Sequence, residues 1–320
     1  MEDRLIEIFR IAIKDHASDI HLTLKDDTVI IELRIGQRLK RIKATQTDLR
    51  LIRYLQYISK LDVGNNLAPQ TGQFEIEIDD YKYAVRFAYM HDMNITNGVI
   101  RILNLNTDIR LEKLNINQIE NKYFEELINM QDGLIVFSGP TGSGKTTTLY
   151  TILDNIKNKK IITIEDPIEI FKDNYLQIQL NEHINWDYSQ ALKQVLRHDP
   201  DVIMIGEIRD EKAAKAAIRA ANTGHLVLTS IHAQSAEIAI NRLLDLGVDR
   251  DNLKMVLRQV YNQRLFFRYH NHQEKVGVYE IMENKEIRNY LEGRENATRN
   301  ITLNEKIKIA LKQRQIEITN

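Results

Sequence analysis

Eight consecutive residues, GPTGSGKT at 139–146, have the types and spacing of a phosphate-binding loop. An apolar run, LIVFS, precedes them, and a helix-compatible run, TTTLYTILDNI, begins at Thr146. Glycines in such a loop let backbone N–H groups approach phosphates at the N-terminus of a helix. Lys145 is expected to contact the β- and γ-phosphates, and Thr146 is expected to ligate Mg²⁺. The predicted nucleotide-binding residues are Gly139, Pro140, Thr141, Gly142, Ser143, Gly144, Lys145 and Thr146.

Hydrolysis needs carboxylates opposite this loop, and two acidic clusters follow apolar runs that predict strands. ITIEDPIE at 162–169 supplies Glu165 and Asp166, and DVIMIGE at 201–207 ends in Glu207. Acidic residues after strands are often only solvated loop ends, but two clusters at the edge that carries the loop favour a site. Glu207 is predicted to orient or deprotonate the attacking water, with Glu165 in support or on the metal-bound water. The residues predicted to be linked to Mg²⁺ are Thr146, Glu165 and Asp166, whereas Asp199 and Asp201 are predicted to be structural.

Histidines bracket a further apolar run in TGHLVLTSIHA at 223–233. In a parallel sheet His232 lies at the nucleotide edge, where it could sense the γ-phosphate, or it is a hydrogen-bonded structural residue. His225, at the opposite end of the strand, is more readily structural. A second histidine pair, His270 and His272, has no acidic or thiol partner at a useful spacing, so no metal site is predicted there.

The elements that position these residues follow from hydrophobic periodicity, which predicts an α/β fold. An amphipathic helix at the start, strands at 19–24 and 29–35, a helix at 49–61, a hairpin of 74–78 with 83–89 and a strand at 99–103 form a small α+β unit. The predicted domains are residues 1–105, a polar linker at 106–117, and residues 118–320. In the last of these, strands alternate with helices, among them a strand at 202–205 and a helix at 211–222, which predicts a parallel sheet. Beyond Ala236 the pattern predicts mostly helices, with one short strand at 276–281.

Composition narrows the class of protein. The net charge of −1 over 320 residues weakens a nucleic-acid-coating or polybasic membrane-binding function. The absence of cysteine excludes disulfides, thiolate catalysis and thiolate zinc sites. The N-terminus lacks the pattern of a signal peptide, and no apolar run reaches the roughly 20 residues of a membrane span. We therefore expect a cytoplasmic protein that is peripherally associated with the membrane through partners.

These segments, in this order, resemble the type II/IV secretion and type IV pilus ATPase family, the traffic ATPases. GPTGSGKTTTLY is similar to the family's Walker A motif, TIEDPIE to its Asp box, LRHDPDVIMIGEIRD to its Walker B motif and TGHLVLTSIHA to its His box. HASDIHL at 16–22 and APQTG at 68–72 resemble its N-terminal signatures, and RLLDLGV and NQRL fit downstream. The resemblance runs along nearly the whole chain.

The resemblance implies a C-terminal RecA-like P-loop NTPase domain, a smaller PAS-like N-terminal domain, and ATP with Mg²⁺ as cofactors. It also implies a homohexameric ring in which arginines complete each site. Arg86, Arg101 and Arg242 match these arginines, Arg34 and Arg209 are weaker candidates, and exposed salt-bridge partners are the alternative for each.

The chain departs from many assembly-type relatives, which carry a four-cysteine zinc module. The corresponding region, FFRYHNHQEKVGVYEIM, has no cysteine, so no zinc is expected, and Lys275 stands where relatives tend to have arginine. The chain is also expected to lack the long extra N-terminal domain of type II secretion ATPases. A short, cysteine-free chain of this kind resembles most the competence-pilus ATPases of Gram-positive bacteria.

The leading functional hypothesis is an ATP-driven motor that assembles a competence pseudopilus for DNA uptake. Its expected partners are a polytopic inner-membrane platform protein and, indirectly, pseudopilins, with no direct binding of nucleic acid. A pilus retraction ATPase and a type II protein-secretion ATPase are the alternatives. A nucleotide-binding scaffold is disfavoured because Lys145, Glu165 and Glu207 are all present, and a DNA-translocating ATPase is disfavoured by the balanced charge.

Overall fold

Alternating apolar residues near the N-terminus form an antiparallel sheet covered by two helices. The computed structural model describes residues 1–26, 28–36, 38–65, 68–92, 94–103, 110–117, 120–181, 186–294 and 301–317. Two units are distinguished by their internal contacts: Met1–Asn106 with Glu169–Phe171, and Thr107–Ile168 with Lys172–Asn320. The division into 1–105, 106–117 and 118–320 is retained as a proposal. Within the proposed linker, the backbone of Leu114 and Ile116 is hydrogen-bonded to Gly277 of the second unit.

Among its described residues, the first unit has two helices and six strands. In chain order they are α1 (Glu2–Lys14), β1 (Asp19–Lys25), β2 (Thr28–Ile35), β3 (Arg38–Ile42), α2 (Leu51–Ile58), β4 (Gln70–Ile78), β5 (Tyr81–Asp92) and β6 (Ile95–Ile102). The sheet order is β3-β2-β1-β6-β5-β4, and every neighbouring pair is antiparallel. The predicted hairpin is confirmed: Asp79 and Asp80, both with positive φ, form its turn between β4 and β5.

The core of this unit lies on one face of the sheet, because apolar residues alternate with polar ones along the strands. Ile20 and Leu22 of β1 are fully buried together with Ile8 and Phe9 of α1. The two strand residues between and beside them, Asp19 and His21, therefore belong to the opposite face.

The second unit has eight helices and eight strands among its described residues. In chain order they are α3 (Asn121–Ile128), β7 (Gly133–Ser138), α4 (Lys145–Asn155), β8 (Ile161–Glu165), β9 (Leu176–Gln179), α5 (Tyr188–Val195), β10 (Val202–Ile205), α6 (Glu211–Asn222), β11 (Leu226–Ile231), α7 (Ala236–Asp245), α8 (Arg250–Val256), β12 (Leu257–Arg268), β13 (Asn271–Glu283), α9 (Asn284–Leu291), α10 (Leu303–Lys312) and β14 (Ile316–Glu317).

These strands form one sheet in the order β13-β12-β7-β11-β10-β8-β9, with β14 paired to β12. The strands from β12 to β9 run parallel, and β12 pairs antiparallel with β13. The α/β class with a parallel C-terminal sheet is thus confirmed. Since β7, β11, β10 and β8 are consecutive neighbours in the sheet, the loops that follow them share one edge.

Helix α6 packs against the central strands of this sheet through small side chains. Asp210 caps it by accepting a hydrogen bond from the backbone N–H of Ala213. The helix contacts β7, β10 and β11. Its buried alanines are Ala213, Ala214, Ala216, Ala217, Ala220 and Ala221.

The prediction for the region after Ala236 is wrong in one respect. Only one short strand was expected there, but β12 and β13 form a long antiparallel hairpin of 12 and 13 residues. Strand β12, LRQVYNQRLFFR, buries the amides of Gln259, Asn262 and Gln263. Buried polar residues do not give the apolar alternation by which a strand is recognised in a sequence.

Candidate nucleotide site

The phosphate loop joins the buried strand β7 to helix α4 with the backbone that its glycines permit. Gly142 and Gly144 have positive φ of 77° and 85°, a conformation that costs glycine little. A Cβ built on Gly142 would meet no atom within 4 Å, so this turn faces open space. Pro140 and Thr141 are exposed beside it. The loop therefore has the open concave backbone that an anion at a helix N-terminus requires.

Lys145, the first residue of α4, folds back over this loop. Its Nζ donates to the carbonyl oxygens of Gly139 (3.0 Å) and Pro140 (3.1 Å), and the residue is 7% exposed. The nearby Ser143 hydroxyl is buried without a hydrogen-bond partner. A buried ammonium and an unsatisfied hydroxyl at a glycine loop are suited to a polyphosphate. Thr146 follows on the first turn of α4 and is half-buried.

Glu165, at the end of β8, is buried and well hydrogen-bonded. Its Oε1 accepts hydrogen bonds from the hydroxyls of Tyr150 and Thr163, each at 2.6 Å, and the residue is 2% exposed. Burial, together with the Glu165 charge, raises the pKa of Tyr150 above its ordinary value, so its hydroxyl remains a donor. Tyr150 and Thr163 are not among the predicted site residues; Thr163 lies two residues before the carboxylate on the same strand.

Glu207, just after β10, is held at both carboxylate oxygens. His232 Nε2 lies 2.9 Å from Oε1, and Arg209 Nε donates to Oε2 at 3.1 Å. Arg209 Nη1 also lies 3.7 Å from Asp166 Oδ2. Partial burial lowers the pKa of Arg209, but the charges of Glu207 and Asp166 outweigh it and raise that pKa. The two acidic clusters are thus joined through one guanidinium.

The aspartates before β10 lie at the amino ends of the parallel strands, opposite the end that carries the phosphate loop. Asp201 Oδ2 accepts a hydrogen bond from the backbone N–H of Lys160 at 2.7 Å, where β8 begins. Asp199 adopts a positive φ of 50° in the turn that precedes the strand. Both positions fit the structural role expected of these residues.

The two histidines of TGHLVLTSIHA are separated by the whole of β11. His232 follows the strand and contacts Glu207, whereas His225 precedes it and bonds Thr223 Oγ1 through Nδ1 (2.9 Å). The phosphate loop follows the carboxyl end of β7, which is parallel to β11. His225 precedes β11 at the amino end of the strands, so the structure places it away from the phosphate loop. His225 is thus not among the residues that the structure brings together.

The loop after β11 is fixed by side chains that cap its carbonyl oxygens. Arg242 Nη1 donates to His232 O at 2.6 Å. Asn262 Nδ2, fully buried on β12, donates to Ala233 O (3.1 Å) and to Ser138 Oγ (2.8 Å) at the end of β7. Asn262 therefore connects the strand before the phosphate loop to the segment that follows His232. It lies in the NQRL motif, but its role was missed because a buried amide on a strand has no distinctive spacing.

Three arginines of the first unit, Arg34, Arg86 and Arg101, lie in one row across its sheet. Asp19 is opposite Arg34 on one side and Arg101 on the other, and Arg101 is opposite Arg86. Directly opposed residues of antiparallel strands share a face, so Asp19 lies between Arg34 and Arg101, and Arg86 follows Arg101 in the same row. Arg101 Nε bonds Asp19 Oδ1 at 2.7 Å, and its side chain is 59% exposed. This row lies on the face away from the apolar core.

Lys275 and His272, both noted in the sequence, lie on strand β13. Lys275 Nζ lies 5.2 Å from the centre of the Phe267 ring, its partner across the hairpin. The side chain of His272 lies outside the described residues. Within the described ranges, no three His, Asp or Glu side chains are grouped as metal ligands. Mg²⁺ at a phosphate loop does not need such a group, because it is bound largely by phosphate oxygens, a hydroxyl and water.

Among the helices that the structure describes, none is long and apolar enough to cross a membrane.

The family model described as "Type II/IV secretion system protein" matches residues 1–315. Competence protein ComGA of Bacillus subtilis is 37% identical over 254 residues, which cover 78% of this chain and 71% of that protein. ComGA of Halalkalibacterium halodurans is 33% identical, and the match covers 94% of this chain and 92% of that protein. By contrast, the chain spans about half the length of the curated type II secretion proteins E that it matches.

A solved structure, described as the pilus retraction motor PilT with bound ADP, covers 98% of this chain. Its TM-score is 0.77 at 29% identity, and 94% of that chain is covered. Another relative, 36% identical over 259 residues, is named type II secretion system ATPase E, of Vibrio cholerae, and this chain has a phosphate loop with its lysine and nearby carboxylates. The chain belongs to the type II/IV secretion system protein family, as an ATPase of the P-loop type.

Proposed function

We propose that this protein is a hexameric motor that hydrolyses ATP to power the assembly of a competence pseudopilus for DNA uptake. The observation that supports the competence role is the ComGA match, which extends over 94% of this chain and 92% of the H. halodurans protein. The match to ComGA of B. subtilis covers less of each protein, 78% of this chain and 71% of that protein.

Glu207 is the proposed general base. Its side chain is 22% exposed at the nucleotide edge, whereas Glu165 is buried and saturated at Oε1 by two hydroxyls. A base must reach the water from which it takes a proton, so Glu207 is better placed, and Glu165 supports the site from β8. Each Glu207 oxygen has one partner, His232 or Arg209, and keeps a second lone pair, so Glu207 can accept a proton from water while these two residues hold it in place. His232 is the proposed γ-phosphate sensor.

The proposed nucleotide contacts follow from the loop. Backbone N–H groups from Gly139 to Gly144 and the Lys145 ammonium bind the phosphates. When bound, Mg²⁺ neutralises phosphate charge; Thr146, Glu165 and Asp166 are the residues that would hold it or its waters. ATP and Mg²⁺ are the cofactors we propose, and no zinc.

The ring is proposed from the arginine row. Arg86 and Arg101 project from one sheet face with Arg34, and guanidinium groups bridge phosphate oxygens well. We propose that Arg86 and Arg101 reach the nucleotide of a neighbouring subunit. Arg242 bonds the carbonyl of His232 in its own chain, so its contact across the ring is the weaker part of this proposal.

The proposed location is the cytoplasmic side of the membrane, with peripheral attachment through a polytopic platform protein. Pseudopilins are indirect partners, and no direct binding of nucleic acid is proposed. Fractionation of cells that lack the platform protein should release the motor from the membrane fraction. Retention there would contradict attachment through that partner.

Deletion of the gene, with complementation by the wild type or by Glu207→Gln, tests the function. If the protein drives assembly, the deletion strain loses both surface pseudopili and transformation, and only the wild type restores them. Accumulation of pili on the deletion strain would instead identify a retraction motor, the alternative favoured by the PilT likeness. Normal pili with loss of an exported protein would identify a secretion ATPase, the alternative favoured by the type II secretion relatives.

A further inference from the structure

Gln263 of β12 lies directly behind the phosphate loop. The residue is 1% exposed and contacts the loop near both of its end glycines. A Cβ built on Gly139 would lie 2.6 Å from the backbone oxygen of Gln263, and one built on Gly144 would lie 3.0 Å from Gln263 Nε2. Gly139 has no room for a side chain against this strand, and Gly144 has little. The close approach of β12 is one reason that the loop needs glycine at these two positions.

Gln263 is also bonded to the helix that follows the loop. Thr148 Oγ1, in the first turn of α4, donates to Gln263 Oε1 at 3.1 Å. The same hydroxyl lies 3.1 Å from the hydroxyl of Tyr279, which is the partner of Gln263 on β13. All three side chains are buried. One glutamine therefore contacts the start of the loop, its end and the first turn of the helix.

We propose that Gln263 is a positioning residue that sets the shape of the phosphate loop and so controls nucleotide affinity without contacting the nucleotide. A phosphate is bound by several backbone N–H groups at once, so their mutual spacing decides how tightly it is held. The loop ends are fixed by covalent attachment to β7 and α4, whereas Gln263 fixes their separation from the side. This inference rests on the proposed nucleotide site.

The test compares two buried glutamines of one strand. Gln259 lies on the same face of β12, is 3% exposed and accepts a hydrogen bond from Tyr261 rather than from the loop helix. Gln263→Met and Gln259→Met each replace an amide by an apolar chain of similar length. Affinity of the full chain for fluorescent mant-ADP is measured for both, together with the melting temperature.

We expect both substitutions to lower the melting temperature to a similar degree. Gln263→Met should weaken mant-ADP binding about tenfold, because the loop loses a hydrogen-bonded support, whereas Gln259→Met should change it less than about twofold. Equal losses of affinity in the two variants would overturn the proposal, as would unchanged affinity in Gln263→Met.

Thr148→Val provides a second variant should Gln263→Met fail to fold. A double-mutant cycle of Thr148→Val with Gln263→Leu, in which each single substitution removes the Thr148–Gln263 hydrogen bond, should give non-additive changes in mant-ADP affinity. Additive changes would contradict the proposed contact.

Lys145→Ala separates this inference from the proposed function. If the wild type does not bind mant-ADP, the nucleotide site itself is wrong. If the wild type binds and Lys145→Ala does not, while Gln263→Met binds normally, only the role of Gln263 is wrong.

Discussion

The two strands that flank β7 contribute to the nucleotide site in different ways. Strand β11, LVLTSI, is buried along its whole length and is mostly apolar, and its contribution comes after it ends, at His232. Strand β12, LRQVYNQRLFFR, contributes from within, through Asn262 and Gln263. Neighbours of one strand can thus serve the same site from an end or from an interior position.

The difference matters for how functional residues are found. Residues at the carboxyl ends of parallel strands form the exposed part of an α/β site, and they include Glu207 and His232. Residues inside a strand can form the buried part that supports such a site, and a rule about strand ends does not locate them. Substitutions at strand ends should therefore change the ATPase rate, whereas substitutions inside a strand should change stability or nucleotide affinity.

Glu207→Gln tests the strand-end position most strongly. Loss of the proposed general base should reduce the steady-state ATPase rate by about 100-fold or more, with nucleotide binding retained. Asp201→Asn, at the other end of the same strand, is the control. It should lower the melting temperature and leave the ATPase rate close to that of the wild type. Equal ATPase rates in Glu207→Gln and the wild type would exclude Glu207 as the base.

His232→Gln tests the end of β11. Removal of the imidazole beside Glu207 Oε1 should lower the ATPase rate about tenfold, since hydrogen bonds to charged groups are stronger than neutral ones. His225→Gln is the matched control at the start of the same strand and should keep a rate within about twofold of the wild type. A larger loss in His225→Gln than in His232→Gln would refute the division of β11 into a functional end and a structural end.

Asn262→Ala tests the strand interior. Its amide is the donor to Ala233 O and Ser138 Oγ, so its loss should lower the free energy of unfolding by about 1–3 kcal/mol. Asn129→Ala, which removes an exposed bond to Glu125 O, should lower it by less than about 0.5 kcal/mol. Denaturant unfolding measures both. A stability loss in Asn262→Ala no greater than in Asn129→Ala would indicate that the buried amide is dispensable.

Asp132→Asn tests the far end of β7 and β12, where no part of the site lies. The carboxylate pairs with Arg258 at 2.7 Å, and its side chain is 50% exposed. Exposed ion pairs contribute about 0–1 kcal/mol, so this substitution should have the smallest effect on unfolding and none on the ATPase rate. A measurable change in the rate would mean that the contribution of these strands is not confined to the edge and interior described above.

The sequence predicted the parts of this molecule in which pattern and burial agree. Strand β10 and helix α6 have the bounds expected from periodicity, because their apolar residues face the core throughout. The strand predicted at 276–281 lies within β13, but β12, and with it the hairpin, was missed because Gln259, Asn262 and Gln263 are polar and nevertheless buried. The burial of Asn262 and Gln263 is compensated by hydrogen bonds to residues distant in sequence, and a local sequence window cannot contain those partners.

The candidate site divides in the same way. The sequence located the phosphate loop and the residues after β8, β10 and β11, since strand ends follow from the pattern. It did not locate Tyr150 beside Glu165, because that contact joins α4 to β8 through the tertiary fold. For Arg209, the sequence left the role open between phosphate contact and ion pairing; in the structure it pairs with Glu207 and Asp166.

The alanine face of α6 restricts how this domain can change in evolution. Its buried positions already hold the smallest side chain that favours a helix; glycine there would cost about 1 kcal/mol per position, and a larger residue would have to displace packed strands. At a core position that holds leucine or isoleucine, a smaller side chain can be compensated by a larger neighbour. An alanine position cannot lose side-chain volume in this way without becoming glycine. We therefore expect homologues to vary on the exposed face of this helix and to drift least on the face that supports β10, the strand that positions Glu207.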